Sequence, residues 1–214
     1  MTDKKTCVLL GAGGHAKVLI DCVSHFRDIK IAAITDPDEK LWGTKIVDIP
    51  VIGNDEKISN SIAMGVKYFI VGVGSTGNNI FRKKLFELGI SNKLLPLTVI
   101  HPTAIVSKYS TIGEGSQILA GAIVNTGADI GENVIINSGA IVEHDCVINN
   151  HVHIATGATL SGTVKVGELS HIGTGASIRQ SITIGCETVI GAGAVVVKDA
   201  ISRKTYIGNP AKPI

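Results

Sequence analysis

The sequence predicts an α/β unit followed by a three-sided parallel β-solenoid, with the change of character near His101-Pro102. Three observations carry this. From Ile100 onward every sixth residue (Ile100, Val106, Ile112, Ile118 and so on without a break to Val196) is Ile, Leu or Val. A helix repeats near 3.6 residues and a strand near 2, so a sustained period of six belongs to a solenoid. Before that point the chain alternates β-favouring runs with helix-forming, charge-bearing stretches, and one such junction is the glycine turn Gly11-Ala12-Gly13-Gly14. The 214 residues therefore read as two domains, 1–100 and 101–214.

The α/β unit comes first. Thr6 to Leu10 is an apolar strand that ends in the glycines, and Lys17 to Phe26 follows as a helix with Val18, Leu19, Cys22 and Phe26 on one face. A strand, a glycine turn and a helix N-terminus present free backbone N–H groups and a positive helix end to a phosphate. Gly11, Gly13, Gly14 and His15 are the candidate contacts, His15 being equally readable as a solvent-facing residue of the first turn. A second strand, Ile31 to Ile34, leads to Asp36, about where a carboxylate meets a ribose or base. Tyr68 to Val73 reads as a strand, Asn78 to Leu88 as a helix and Leu94 to Val99 as a further strand. The turn alone is also compatible with a ligand-free connection or with NAD. The unit has about half the strands of a full dinucleotide fold, however, and no second domain offers hydride chemistry, so a nucleotide diphosphate suits it better.

In the solenoid, the position four after each branched residue is mostly small, as at Ala104, Ser116, Ala122, Ala140, Cys146, Ala158 and Ala176. A branched and a small residue repeated three times per coil give short parallel strands on three walls, stacked at roughly 4.8 Å around a column of Ile and Val. Glycine follows many branched positions (Gly113, Gly131, Gly167, Gly173, Gly185, Gly191). A tight corner there would ask for positive φ.

Bulk properties exclude several classes. The mean hydropathy of +0.33 comes without any run of about 18 apolar residues and without a signal-peptide pattern, so neither membrane insertion nor secretion is expected. A formal charge of +2 with mixed signs and 4% aromatic residues gives no basic stripe for nucleic acid. Cys7, Cys22, Cys146 and Cys186 form no C-x-x-C pair and read as free thiols in a cytoplasmic protein. No carboxylate or thiol spacing completes a metal ligand set around the histidines, so no metal is expected.

The turn Gly11-Ala12-Gly13-Gly14-His15-Ala16, the hexads with Ile141-Val142-Glu143-His144-Asp145-Cys146, and the closing Gly208-Asn209-Pro210-Ala211-Lys212 together resemble the PglD/NeuD family of bacterial sugar O- and N-acetyltransferases. The resemblance runs essentially end to end. It implies a left-handed parallel β-helix behind a small Rossmann-like domain that holds a nucleotide sugar. It also implies acetyl-CoA as co-substrate, and a homotrimer that binds it along the prism between subunits. Carried over residue by residue, the catalytic base matches His144, and its orienting acid matches Asp145. Asn137 matches the substrate-site asparagine, and His153 with Gly173 and Gly191 match the cofactor side. Some relatives carry Glu where this chain has Asp145, which leaves open whether Asp145 or Glu143 reaches the imidazole.

The chemistry agrees with that match. Acetyl transfer from a thioester to an amine needs a group to take the surplus proton, and a histidine beside a carboxylate is suited to it. His153 and His171 are eighteen residues apart, one coil, and should stack; His144 and His153 are nine apart and cannot share a wall within a coil. One site using both would draw on two subunits, a physical reason for a trimer. The expected activity is N-acetylation of the 4-amino group of a nucleotide-linked 4-amino-4,6-dideoxy sugar, with sugar O-acetylation and a non-catalytic nucleotide-binding scaffold as alternatives.

Overall fold

A computed structural model describes residues 4–63 and 65–214. The chain divides into two compact units. One holds the chain up to Gly74 with Lys84–Thr98, and the other holds Ser75–Lys83 with Val99–Ile214.

The first unit is a sheet in the order β3-β4-β2-β1-β5-β6, with strands β1 (Lys5–Leu10), β2 (Ile29–Thr35), β3 (Lys45–Ile46), β4 (Ile49–Gly53), β5 (Tyr68–Val71) and β6 (Leu95–Pro96). All neighbours run parallel except the hairpin β3-β4, which sequence patterning did not show. Helix α1 (Gly14–Ser24) starts at the glycine turn itself. Its buried stripe is Ala16, Leu19, Ile20 and Val23, with Cys22 beside it. That i, i+3, i+4, i+7 set corrects the expected face: Val18 is 42% exposed. A short helix, α2 (Ile58–Ala63), packs Ile58 into a cluster with Val8, Leu10, Phe69, Leu85 and Phe86. The expected strand Leu94 to Val99 is split, with Leu95–Pro96 pairing β5 and Val99–Ile100 opening the coil. Helix α3 (Ile80–Ser91) follows the segment that begins at Ser75.

The second unit is a left-handed parallel β-helix. Its two-residue strands pair with the strand eighteen residues on, as in Ile118↔Ile136, Val142↔Leu160 and Ile154↔Ile172. With the closing strands Thr205–Ile207 and Lys212–Pro213, the last of which runs antiparallel, they form three walls of eight, six and five strands. The sixth residues fill the interior: Ile118, Val124, Ile136, Val142, Ile154, Leu160 and Ile172 are at most 1% exposed. Burying each such side chain stabilises by about 1.5–3 kcal/mol. Ile100, Val106 and Ile112, in strands at the end of each wall, are only half-buried.

The corners correct one expectation. The glycines directly after the branched residues do not have positive φ. The left-handed position comes two residues later, at Gly115, Asn133, Asp145, His151, Gly157 and Gly175 among others. Gly113, Gly167 and Gly173 serve a different purpose. A Cβ on Gly173 would lie 2.6 Å from Ala192 N in the next coil, and one on Gly167 2.5 Å from Cys186 N. Glycine there permits the coils to stack at strand spacing.

Candidate active site

Two parts of the chain gather the expected residues. In the first unit, β1 runs into Gly11 at φ +104, where a Cβ would press into Val73 and lie 3.5 Å from Gly72 C. Only glycine satisfies both the angle and the space. Gly13 is the N-cap of α1 and offers no side-chain cap, and nothing lies within 4 Å of a Cβ placed on Gly13 or Gly14. The first turn of the helix therefore starts without a side chain over Gly13 or Gly14, an arrangement that suits a phosphate. Asp36 holds this turn. Its Oδ2 accepts from the Ala12 N–H at 2.7 Å, and its Oδ1 accepts from the Asp38 N–H at 2.9 Å. The ring of His15 packs over Gly74, whose added Cβ would lie 3.5 Å from His15 Cγ.

In the second unit, strand Ile141–Val142 on the six-stranded wall delivers Glu143, His144 and Asp145 to a corner. Asp145 takes the left-handed conformation at φ 56, which a short carboxylate side chain tolerates better than most. The turn brings its Oδ2 to accept from His144 Nδ1–H at 2.9 Å. Glu143 is engaged elsewhere: its Oε2 accepts from Asn125 Nδ2 at 3.0 Å and from the His144 backbone N–H at 3.3 Å. Asp145 therefore orients the imidazole, and Glu143 ties the corner to the coil before it. With Nδ1 donating to a carboxylate, Nε2 is the nitrogen left to exchange a proton, on a side chain that is 47% exposed. The ring lies over Gly162, one coil on, where an added Cβ would sit 2.5 Å from His144 Cε1. Cys146 points inward beneath this corner, donates to Ser161 O at 3.2 Å, and its thiol is pushed up to about 11 by burial.

His153 lies on a different wall, the eight-stranded one, in strand His153–Ile154. There Asn137, His153, Gly173 and Gly191 line a cavity of about 450 Å³ with Ser75, Thr76 and His171. Asn137 Oδ1 accepts from the Ser138 N–H at 2.8 Å, which turns Nδ2 to donate to His153 Nε2 at 3.1 Å. His171 packs edge-on to His153 with ring centroids 5.0 Å apart, the stacking that the eighteen-residue spacing predicts. Ser75 is a site residue the sequence did not disclose. It lies in a segment with no periodicity, and nothing along the chain links it to residues 78 and 96 positions away.

The matches to known proteins follow the same division. Residues 7–88 match the PglD N-terminal domain, and 109–144 and 127–162 match the bacterial transferase hexapeptide repeat. The chain is 40% identical over 119 residues to the UDP-N-acetylbacillosamine N-acetyltransferase of Bacillus subtilis (strain 168). That match spans 54% of this chain and about half, 52%, of the relative's length. The acetyltransferase domain of PglB from Neisseria gonorrhoeae FA1090 is 37% identical with a TM-score of 0.90, covering 99% of this chain and 100% of that one. PerB from Caulobacter crescentus, solved in complex with CoA and GDP-perosamine, is 35% identical with a TM-score of 0.91, covering 98% of this chain and 97% of that one. The end-to-end match in sequence and fold places this chain in the family of PglD-type hexapeptide-repeat sugar acetyltransferases.

Proposed function

We propose that the protein transfers the acetyl group of acetyl-CoA to the 4-amino group of a nucleotide-linked 4-amino-4,6-dideoxy sugar, with His144 as general base. The observation that carries this reading is the His144–Asp145 pair, which presents an oriented Nε2 at an exposed corner of the coil. The solved relatives with CoA and GDP-perosamine and with acetyl coenzyme A support the choice of substrates. The nucleotide diphosphate docks at Gly11, Gly13 and Gly14, with His15 beside it and Asp36 fixing the turn. Acetyl-CoA occupies the cavity at His153, Gly173 and Gly191, and Asn137 lies on its wall.

The amine nitrogen attacks the thioester carbonyl carbon, and electrons move to the carbonyl oxygen. His144 Nε2 takes the proton that the nitrogen must shed, and Asp145 stabilises the imidazolium. Collapse of the tetrahedral intermediate breaks the C–S bond, and the imidazolium returns its proton to the CoA thiolate. The amide, free CoA and neutral His144 result. Nothing in this sequence requires an acyl-enzyme, in agreement with the inert, inward-facing Cys146.

His144 and His153 stand on different walls. A homotrimer in which one protomer supplies His144 and its neighbour the cavity at His153 assembles both in one site. A panel of UDP-, dTDP- and GDP-linked 4-amino sugars, read by free CoA release, tests the function. One amino sugar nucleotide should be turned over well above the rest and above matched hydroxyl sugars. Turnover of a hydroxyl sugar alone would favour O-acetylation, and no binding of acetyl-CoA by calorimetry would favour a scaffold.

A further inference from the structure

We propose that Ser75 is a positioning residue of the acetyl-CoA site, setting the tautomers of His153 and His171 so that His171 presents an Nε2–H donor to the cavity. The claim about the site rests on the acetyl-CoA reading above; the claim about the tautomers does not.

The protonation pattern follows from the partners. Asn137 Nδ2 can only donate, so His153 Nε2 accepts, and the Asn137 orientation is fixed by its Oδ1 accepting from Ser138 N–H. The Ser75 carbonyl can only accept, so His153 Nδ1, 3.1 Å away, carries the proton. Ser75 Oγ is also 3.1 Å from that nitrogen and receives a share of the same N–H. Its hydroxyl proton is then directed to the remaining neighbour, His171 Nδ1, at 3.3 Å. His171 Nδ1 is thereby an acceptor, and a neutral His171 must hold its proton on Nε2. The ring is neutral because it is 8% exposed and burial pushes its pKa below the ordinary histidine range.

The consequence is chemical. His153 has both nitrogens engaged by the protein, whereas His171 has its Nδ1 occupied by Ser75 and its Nε2–H available on the cavity wall. A donor there suits an acceptor oxygen of the acyl-pantetheine portion of acetyl-CoA, whose amide and thioester carbonyls bring no compensating charge. Ser75 belongs to Ser75–Lys83, which is anchored on the coil independently of the histidines: Asn79 Nδ2 donates to Ser170 O at 2.9 Å, and Arg82 Nε donates to Asn133 O at 3.2 Å. The hydroxyl is therefore held in place and not merely captured by the rings.

The test compares the full-length wild type with Ser75→Ala and Ser75→Thr. Histidine 15N shifts, assigned with His153→Gln and His171→Gln, report the tautomers without ligand. Ser75→Ala should move His171 away from the Nε2–H pattern and leave His153 unchanged, because the backbone carbonyl at residue 75 persists. It should also raise KM for acetyl-CoA by about 3- to 10-fold, the equivalent of one lost hydrogen bond, with KM for the sugar nucleotide unchanged. Ser75→Thr, which keeps the hydroxyl, should restore both. A His171 tautomer that is Nδ1–H in the wild type, or unmoved in Ser75→Ala, overturns the proposal. If the tautomers behave as stated but acetyl-CoA does not bind the wild type, the acetyl-CoA reading fails and the tautomer relay stands.

Discussion

At the scale of single residues, the site depends on which atoms are already spoken for. Asp145 and Glu143 are both carboxylates next to His144, and only partner geometry separates them: one holds the ring, the other holds Asn125 and the backbone. Sequence could not choose, because flanking residues on a corner point in directions set by φ, and the left-handed Asp145 is visible only in the fold. Gly162 follows from the same geometry. Gly162→Ala should push the imidazole off its seat and lower kcat by about 10- to 100-fold with KM values little changed. Unaltered kcat in stopped CoA-release assays would show that the ring has room to spare. Cys146→Ala should leave turnover unchanged within roughly twofold, since its thiol near 11 supplies almost no thiolate at neutral pH. Failure to turn over, with the fold intact by circular dichroism, would point to an acyl-cysteine.

At the scale of elements, what was legible was what is periodic. The six-residue repeat specified the strands of the coil up to Val195–Val196 and the Ile and Val interior, because every coil imposes the same inside and outside, whereas Thr205–Ile207 and Lys212–Pro213 lie beyond it. The glycines were misread in part: their abundance was correctly tied to the coil, but at Gly167 and Gly173 the demand is close approach of the next coil and not a left-handed angle. The hairpin Lys45–Ile46 with Ile49–Gly53 escaped notice since one strand has only two residues and lies outside any repeat, and the other carries Pro50, which reads against a strand. The glycine turn was readable as an element, and the structure adds that Asp36 braces it from the end of β2. Asp36→Ala should loosen that turn and raise KM for the nucleotide sugar by about tenfold while KM for acetyl-CoA stays the same. Equal effects on both substrates would mean that the turn serves the whole fold. Gly11→Ala should cost about 2 kcal/mol or more in urea unfolding, from its φ of +104 and the collision with Val73. A loss under half that would show that the strand end yields easily.

At the scale of the whole molecule, placing His144 and the His153 cavity on separate walls makes a lone protomer a poor candidate for a complete site. Sedimentation should show a trimer. His144→Ala and Asn137→Ala subunits, each expected to be impaired alone, should recover part of the activity when unfolded and refolded together, because some interfaces then combine an intact His144 with an intact cavity. No recovery from verified mixed trimers would confine the site to one chain. No helix among the described residues is long and apolar enough to cross a membrane. The most direct measurement is the steady-state rate of CoA release by His144→Ala beside the wild type, with acetyl-CoA and the preferred amino sugar nucleotide saturating. A general base demands a fall of about 100-fold or more in kcat, with oligomeric state and acetyl-CoA affinity preserved. A variant that turns over at near the wild-type rate would remove His144 from the chemistry.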